Sequence, residues 1–277
     1  MKKRRVDHEL LAGSSAHYDD PAYYTRTYRS RLNDVDYYVD LAIANGGPIL
    51  EYGCGNGRIA LPIARAGVEI TGVDLSAPML DDFRRRLADE APAIRERVTL
   101  RRGDMRAVRL KGRFPLVFCT FNAFLHLYTR SDVERFLARA REHLTPRGEL
   151  VFDISIPEPE ELSRDPARAF RTPPFLYPKP DAPGGAVRVK YAERFDYDKL
   201  RQVLFVAMEF TPPTGDPWMT PLAHRQFYPA ELEALLHYNG FDILTQHGDF
   251  DASPLTGQSS TLIVRARPRR TRARARS

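Results

Sequence analysis

Glu51 stands two residues ahead of three glycines at alternate positions, Gly53, Gly55 and Gly57, in the stretch ILEYGCGNGR. An apolar run leading into bare backbone suits a nucleotide-like ligand that the chain must pass closely. A dinucleotide site has the spacing G-x-G-x-x-G and seats its pyrophosphate on a helix N-terminus. Here the third glycine comes one position early. The carboxylate ahead of it opposes a phosphate dianion and favours a cation. Two more acids follow, Asp74 closing VEITGVD and Asp104 closing VTLRRGD. His126, in NAFLHLY, lies four residues beyond Asn122 and can exchange a proton near neutral pH.

These residues need elements to hold them. PILEYG (48–53) reads as a buried strand, RIALPIARAG as a short helix, and VEITGVD as a second strand. Ser76 is a candidate N-cap for SAPMLDDFRRRLADEAP, whose Leu80, Phe83 and Leu87 share a face. VTLRRGD and FPLVFCTF are the third and fourth strands. A capping box of Ser131 with Glu134 opens the next helix, and ELVFDIS is the fifth strand. Alternating strand and helix predicts a mostly parallel α/β sheet covered on both faces, with ligands at the carboxyl ends of its strands. The glycines, Asp74, Asp104 and Cys119–Asn122 all fall at such ends.

The rest of the chain divides around this core (21–155). Residues 1–20 read as an unstructured basic N-terminus. Residues 156–228 read as a Pro-rich loop, with eight prolines in 156–183, followed by antiparallel strands around the turn Asp196–Lys199. Residues 229–266 return as a helix and a final pair of strands. Residues 267–277 read as an unstructured Arg-rich tail.

Glu51/Gly53/Gly55/Gly57, the strand-ending Asp74, Gly103-Asp104-Met105, the segment CTFNAFLHL and LTPRGELVFD together resemble the class I S-adenosylmethionine (SAM) methyltransferase family, in its small-molecule form. The resemblance covers residues 40–155 and the final helix and strands. It implies a Rossmann-like, doubly wound, seven-stranded sheet with an antiparallel cap inserted after strand five. It also implies SAM as cofactor. On this resemblance the three glycines pass against the methionine and ribose parts, and Asp74 accepts from both ribose hydroxyls. Asp104 accepts from the adenine amino group beside the Met105 N–H. Leu75 and Met79 sandwich the adenine, Cys119 and Phe121 line the methionine arm, and Arg58 reaches the SAM carboxylate. Tyr23 and Tyr28 either close over SAM or serve as packing aromatics.

Methyl transfer from SAM is an in-line displacement by an activated donor, so positioning in a dry pocket carries most of the catalysis. A base helps when the acceptor is an alcohol or a protonated amine, and His126 is the best-placed candidate. Asn122, His126 and Phe227 are the candidate substrate contacts. The segment Cys119-Thr120-Phe121-Asn122 lacks the paired prolines of adenine and exocyclic-amino methyltransferases. Cys119 also lacks the adjoining proline of cytosine C5 enzymes.

Composition points the same way. The net charge of +6 comes from the ends: without MKKRR and the arginines from Arg265 onward, 31 of the 42 basic residues face 36 acidic ones. An acidic body disfavours a nucleic-acid partner. No apolar run approaches the roughly 18 residues of a membrane span. Two cysteines supply neither a disulfide framework nor a metal site, and the cytoplasm is the default location. The reading is N- or O-methylation of a small metabolite. RNA or protein methylation with docking through the Arg-rich tail, and a non-catalytic SAM-binding subunit, remain as alternatives, and a homodimer is left open.

Overall fold

The alternation of apolar runs with amphipathic segments resolves into two sheets in the computed structural model, which describes residues 7–269. The larger sheet holds β1 (Ile49–Tyr52), β2 (Ile70–Asp74), β3 (Val98–Arg102), β4 (Phe114–Cys119), β5 (Leu144–Ser155), β10 (Phe241–His247) and β11 (Thr261–Pro268). Its order is β10-β11-β5-β4-β1-β2-β3. Six of its strands run the same way, and β11 returns antiparallel between β5 and β10. The predicted seven-stranded sheet and its closing hairpin are both present. The strand order reverses between β1 and β4, so a crevice opens there at their carboxyl ends.

Helices cover both faces because the central strands are apolar on both sides. Leu50, Tyr52, Val117 and Phe152 face α7 (Arg130–His143) and α9 (Pro229–Tyr238), against Phe136 and Leu236. Ile49, Phe118 and Ile263 face α3 (Asn33–Asn45), α4 (Ala60–Arg65) and α5 (Ala77–Ala88), against Tyr38, Ile63 and Phe83. Ser76 caps α5 as predicted, its hydroxyl accepting from the Met79 N–H at 3.3 Å. The cap of α7 lies two residues earlier than the sequence suggests. Thr129 takes the extended conformation and exchanges hydrogen bonds with Asp132, which leaves Ser131 inside the helix. The short α6 (Pro92–Arg95) links α5 to β3.

The cap is an antiparallel sheet in the order β6-β7-β8-β9: β6 (Phe170–Pro178), β7 (Ala186–Asp198), β8 (Val203–Thr211) and β9 (Trp218–Arg225). The Pro-rich stretch is not all loop. After the short α8 (Pro159–Leu162) it supplies β6, where prolines are tolerated because the strand lies at the sheet edge. The turn between β7 and β8 falls after Asp198, whose carboxylate accepts from the Leu200 and Arg201 N–H groups.

The unstructured stretch predicted for 1–20 does not hold over 7–20. Asp7 caps α1 (His8–Ser15), a 3₁₀ turn follows at Ala16–Tyr18, and α2 (Pro21–Tyr28) begins at Pro21. Tight packing fixes α1: a Cβ on Gly13 would stand 2.7 Å from that of Ala223 in β9. Residues 1–6 and 270–277 lie outside the described residues. The tail starts later than predicted, because Arg267 belongs to β11 and pairs with Glu149 at 2.9 Å. Among the described residues no helix is long and apolar enough to cross a membrane.

Candidate active site

The end of β1 bends sharply into the glycine loop. Gly53 and Cys54 both donate to the Val73 carbonyl, at 2.8 and 3.2 Å, which ties the loop to β2. Gly53 has φ +69° and Gly57 φ +82°, the left-handed region that costs glycine nothing. At Gly57 a side chain would also overlap the Phe83 ring. The fold itself therefore demands part of this bare backbone.

Asp74, at the end of β2, locks the loop from the other side. Its Oδ2 accepts from the Gly55 N–H at 2.7 Å and its Oδ1 from the Ser76 N–H at 2.8 Å. Each oxygen keeps a further lone pair at the cavity wall. Burial pushes this carboxyl upward, against the Ser76 and Gly55 hydrogen bonds.

Glu51 is buried below the loop. Its Oε1 accepts from the Thr120 hydroxyl at 2.9 Å, while Oε2 is buried with no hydrogen-bond partner among the described residues. Burial raises the carboxyl to about 8. An orphaned carboxylate oxygen at the end of the glycine loop fits a cationic group, as the amino end of SAM supplies.

The post-β4 segment is held by a second buried acid. Asp153 Oδ1 accepts from the Tyr38 hydroxyl at 2.7 Å and from the Phe121 N–H at 2.8 Å. Phe121 and Asn122 both have positive φ, 52° and 63°, a strained pair of the kind that collects at functional sites. The Phe121 ring faces the cavity and lies 4.3 Å from the Arg58 guanidinium. Arg58 lines the cavity, with its guanidinium already paired. Its Nη1 and Nη2 bind Asp34 at 2.9 and 2.5 Å, and Nη1 also donates to the Arg31 carbonyl at 3.1 Å.

Leu75, Met79, Asp104 and Met105 all line the cavity. Met79 is buried, and Leu75 is 59% exposed at the rim. Asp104 is clamped by Arg106, which contacts both carboxylate oxygens and reaches on to Asp132 at 3.0 Å. Burial works to raise Asp104, but the Arg106 hydrogen bonds hold it below the ordinary range.

The cavity, about 850 Å³, runs from Glu51 and the glycine loop past Asp74 and Asp104 to His126. It is roofed by α1, the 3₁₀ turn and Tyr24. Both His126 ring nitrogens are engaged: Nε2 by the Tyr18 hydroxyl at 2.7 Å and Nδ1 by the Tyr128 hydroxyl at 2.9 Å. Burial, helped by the neighbouring His17, lowers His126 to about 4.

Several predicted site residues face elsewhere. Cys119 is fully buried on the α7 side, because alternation along β4 turns it away from the cavity. Asn122 is spent on Ser155, accepting from its N–H at 2.6 Å and donating to its hydroxyl at 3.0 Å. Phe227 packs on Phe124 in the core, with centroids 5.3 Å apart. Tyr23 stacks on Tyr177 of the cap, and Tyr28 supports Phe121 from behind. The tyrosines on the cavity wall are Tyr18, Tyr24 and Tyr128. One residue along α2 turns a side chain to another face, so a tyrosine-rich run does not reveal which ring points inward. Asp34 had a readable signal, an acid on the same i, i+4, i+8 stripe as buried Tyr38 and Ala42.

A methyltransferase-domain family model matches residues 49–148, the span from β1 to the start of β5. The putative methyltransferase YqeM of Bacillus subtilis is 24% identical over 235 residues, covering 84% of this chain and 89% of its own. The dTDP-3-amino-3,6-dideoxy-alpha-D-glucopyranose N,N-dimethyltransferase of Streptomyces fradiae is 32% identical over 105 residues, but the match spans only 38% of each chain. Among solved structures, the CcbJ methyltransferase of Streptomyces caelestis superimposes with a TM-score of 0.70 at 26% identity, covering 87% of this chain and 97% of its own.

Proposed function

We propose that the chain acts as a class I SAM-dependent methyltransferase and that it methylates the amine nitrogen of a small molecule held under the roof. When bound, SAM supplies a methyl group made electrophilic by its sulfonium. The glycine loop and Asp74 would hold its methionine and ribose parts, Glu51 would meet its cationic end, and Asp104 and Met105 would flank its adenine.

One observation carries the choice of nitrogen over oxygen. Among the described residues near His126, none is a buried free base: both His126 ring nitrogens are engaged and its basicity is lowered to about 4, and the unpaired Asp19 on the same cavity is exposed to solvent. Asp74 accepts two backbone N–H bonds and turns its remaining lone pairs to the place of the ribose, and Asp104 and Asp132 are held by Arg106. An alcohol must lose a proton as it attacks, so it needs a base near the operating pH. A neutral amine already presents its lone pair, and the site has only to orient it and exclude water. The S. fradiae relative, named for an amino-sugar substrate, supports the same reading. A cavity of this size suits a drug-sized acceptor beside the cofactor.

The test is transfer of labelled methyl from SAM to a matched pair, dTDP-3-amino-3,6-dideoxyglucose and its 3-hydroxy counterpart. Label on the amine alone is expected. Equal kcat/KM on the hydroxyl compound would overturn the assignment.

A further inference from the structure

We propose that Tyr18 is the residue that meets the methyl acceptor, its phenol oxygen taking a hydrogen bond from the acceptor's N–H, and that His126 positions that oxygen from behind. The acceptor's chemistry rests on the amine reading above. The direction of each proton rests on the hydrogen-bond chain alone.

The chain starts in the cap. The Tyr128 hydroxyl donates to the Ala223 carbonyl of β9 at 2.9 Å, and a carbonyl can only accept. Its one phenolic proton is spent there, so the Tyr128 oxygen can only accept from His126 Nδ1, 2.9 Å away. That places the imidazole proton on Nδ1 and leaves Nε2 bare. Tyr18, 2.7 Å from Nε2, must then be the donor. With its proton directed backward, the Tyr18 oxygen has only lone pairs left for other partners.

Tyr18 is held at its other end as well. Its carbonyl accepts from the Ser76 hydroxyl at 3.2 Å, and the Ser76 N–H is held by Asp74. Tyr18 is thereby tied through its backbone to the residues at the end of β2 and through its phenol to His126. Tyr18, His126 and Tyr128 all line the cavity. Burial keeps Tyr18 a neutral phenol and His126 a neutral imidazole. His17 and His224, the imidazoles packed beside them, are also held neutral by burial, and the neighbouring Tyr24 and Tyr128 phenols are pushed up by it.

An oxygen offering only lone pairs selects a partner that bears a hydrogen. An amine directing one N–H to Tyr18 has its own lone pair turned to a fixed side, which is the orientation an in-line displacement requires. The nitrogen lone pair then forms the new N–C bond, the S–C electron pair returns to sulfur, and the N–H facing Tyr18 stays on nitrogen. No proton has to enter the tyrosine–histidine chain. This assigns His126 a positioning role in place of the base role that its sequence position suggests.

Two measurements test the proposal. Imidazole ¹⁵N spectra of the free full-length protein at pH 7 should show His126 protonated at Nδ1 and bare at Nε2. Tyr128→Phe should loosen that preference, and Tyr18→Phe should shift the Nε2 resonance. An Nε2–H tautomer or an imidazolium overturns the chain. In turnover of dTDP-3-amino-3,6-dideoxyglucose, Tyr18→Phe should lower kcat about tenfold or more, for one lost hydrogen bond, with SAM affinity near normal. His126→Gln should keep most of the turnover, because an amide oxygen can still accept the Tyr18 proton. His126→Phe should fall as Tyr18→Phe does. Equal losses in the Gln and Phe variants would return His126 to a base role and overturn the proposal. Failure of this amine to accept methyl counts against the amine reading, and the spectrum then decides the chain by itself.

Discussion

Glu51 and Thr120 share one hydrogen bond, at 2.9 Å, and leave the second Glu51 oxygen buried and unpartnered among the described residues. Glu51 lies one residue before the end of β1 and Thr120 just past the end of the adjacent parallel strand β4, at the point where the sheet order reverses. A lone carboxylate in such a place is costly until a cation arrives. The acid at the head of the glycine motif thus makes the free site unfavourable for a charge that the bound cofactor requires.

A pH dependence follows. Burial raises the folded Glu51 carboxyl from 4.5 to about 8. Between those values the unfolded chain has released its proton and the folded protein retains it, so stability falls as pH rises across the window. Glu51→Gln removes that slope, and its melting temperature should gain on the native protein between pH 5 and pH 8. SAM binding near pH 7 should release up to one proton, read by calorimetry in buffers of different ionisation enthalpy. Proton-neutral binding at pH 7 would mean that Glu51 does not meet the cation.

Arg58 and Asp34 give a stability prediction. The Asp34 side chain is fully buried, and the Arg58 side chain is 15% exposed. Asp34→Ala leaves a largely buried guanidinium unpaired, which costs about 3–5 kcal/mol. Asp81→Ala, which breaks an exposed pair with Arg84 in α5, should cost less than about 1 kcal/mol. Denaturant titrations of the two variants should separate them clearly. A small effect at Asp34 would mean that Arg58 finds another partner on the cavity wall.

The fold was legible because alternation and strand-end acids report backbone geometry. Each parallel strand ends at the same rim, so Asp74 and Asp104 could be placed without knowing any contact. Side-chain direction was less legible. Cys119 and Thr120 are neighbours, yet one faces the core and the other the cavity, and the strand end gives no sign of which. The partners of Arg58 and Asn122 were hidden for a different reason. These residues, Asp34 and Ser155, lie 24 and 33 residues away, and only the folded chain brings them together. The N-terminal segment failed because its order comes from contact with β9, through Gly13 and Ala223, rather than from its own composition.

The basic C-terminal run divides where β11 ends. Arg265 and Arg267 both pair with Glu149, and Arg269 pairs with Asp242, so these three arginines tie β11 and the residue after it to β5 and β10. Truncation after Arg269 should leave both melting temperature and turnover of a small amine unchanged. Truncation after Arg265 removes part of β11 and should lower the melting temperature. A large loss of turnover in the first variant, with the fold intact, would favour a docking role for the tail.

Gly57 is where the glycine motif serves the fold most directly. Its φ of +82° is strained for any L side chain, and an added methyl would overlap the Phe83 ring. Gly57→Ala should therefore destabilise the protein by about 2 kcal/mol or more, from backbone strain and overpacking together. Adding Phe83→Leu relieves only the overlap, so the double variant should recover part of the loss and keep the part due to φ. Recovery is measured as non-additivity in a double-mutant cycle. Full additivity would mean that the Phe83 contact does not constrain Gly57. The bare backbone would then be left to the φ requirement and to the cofactor alone.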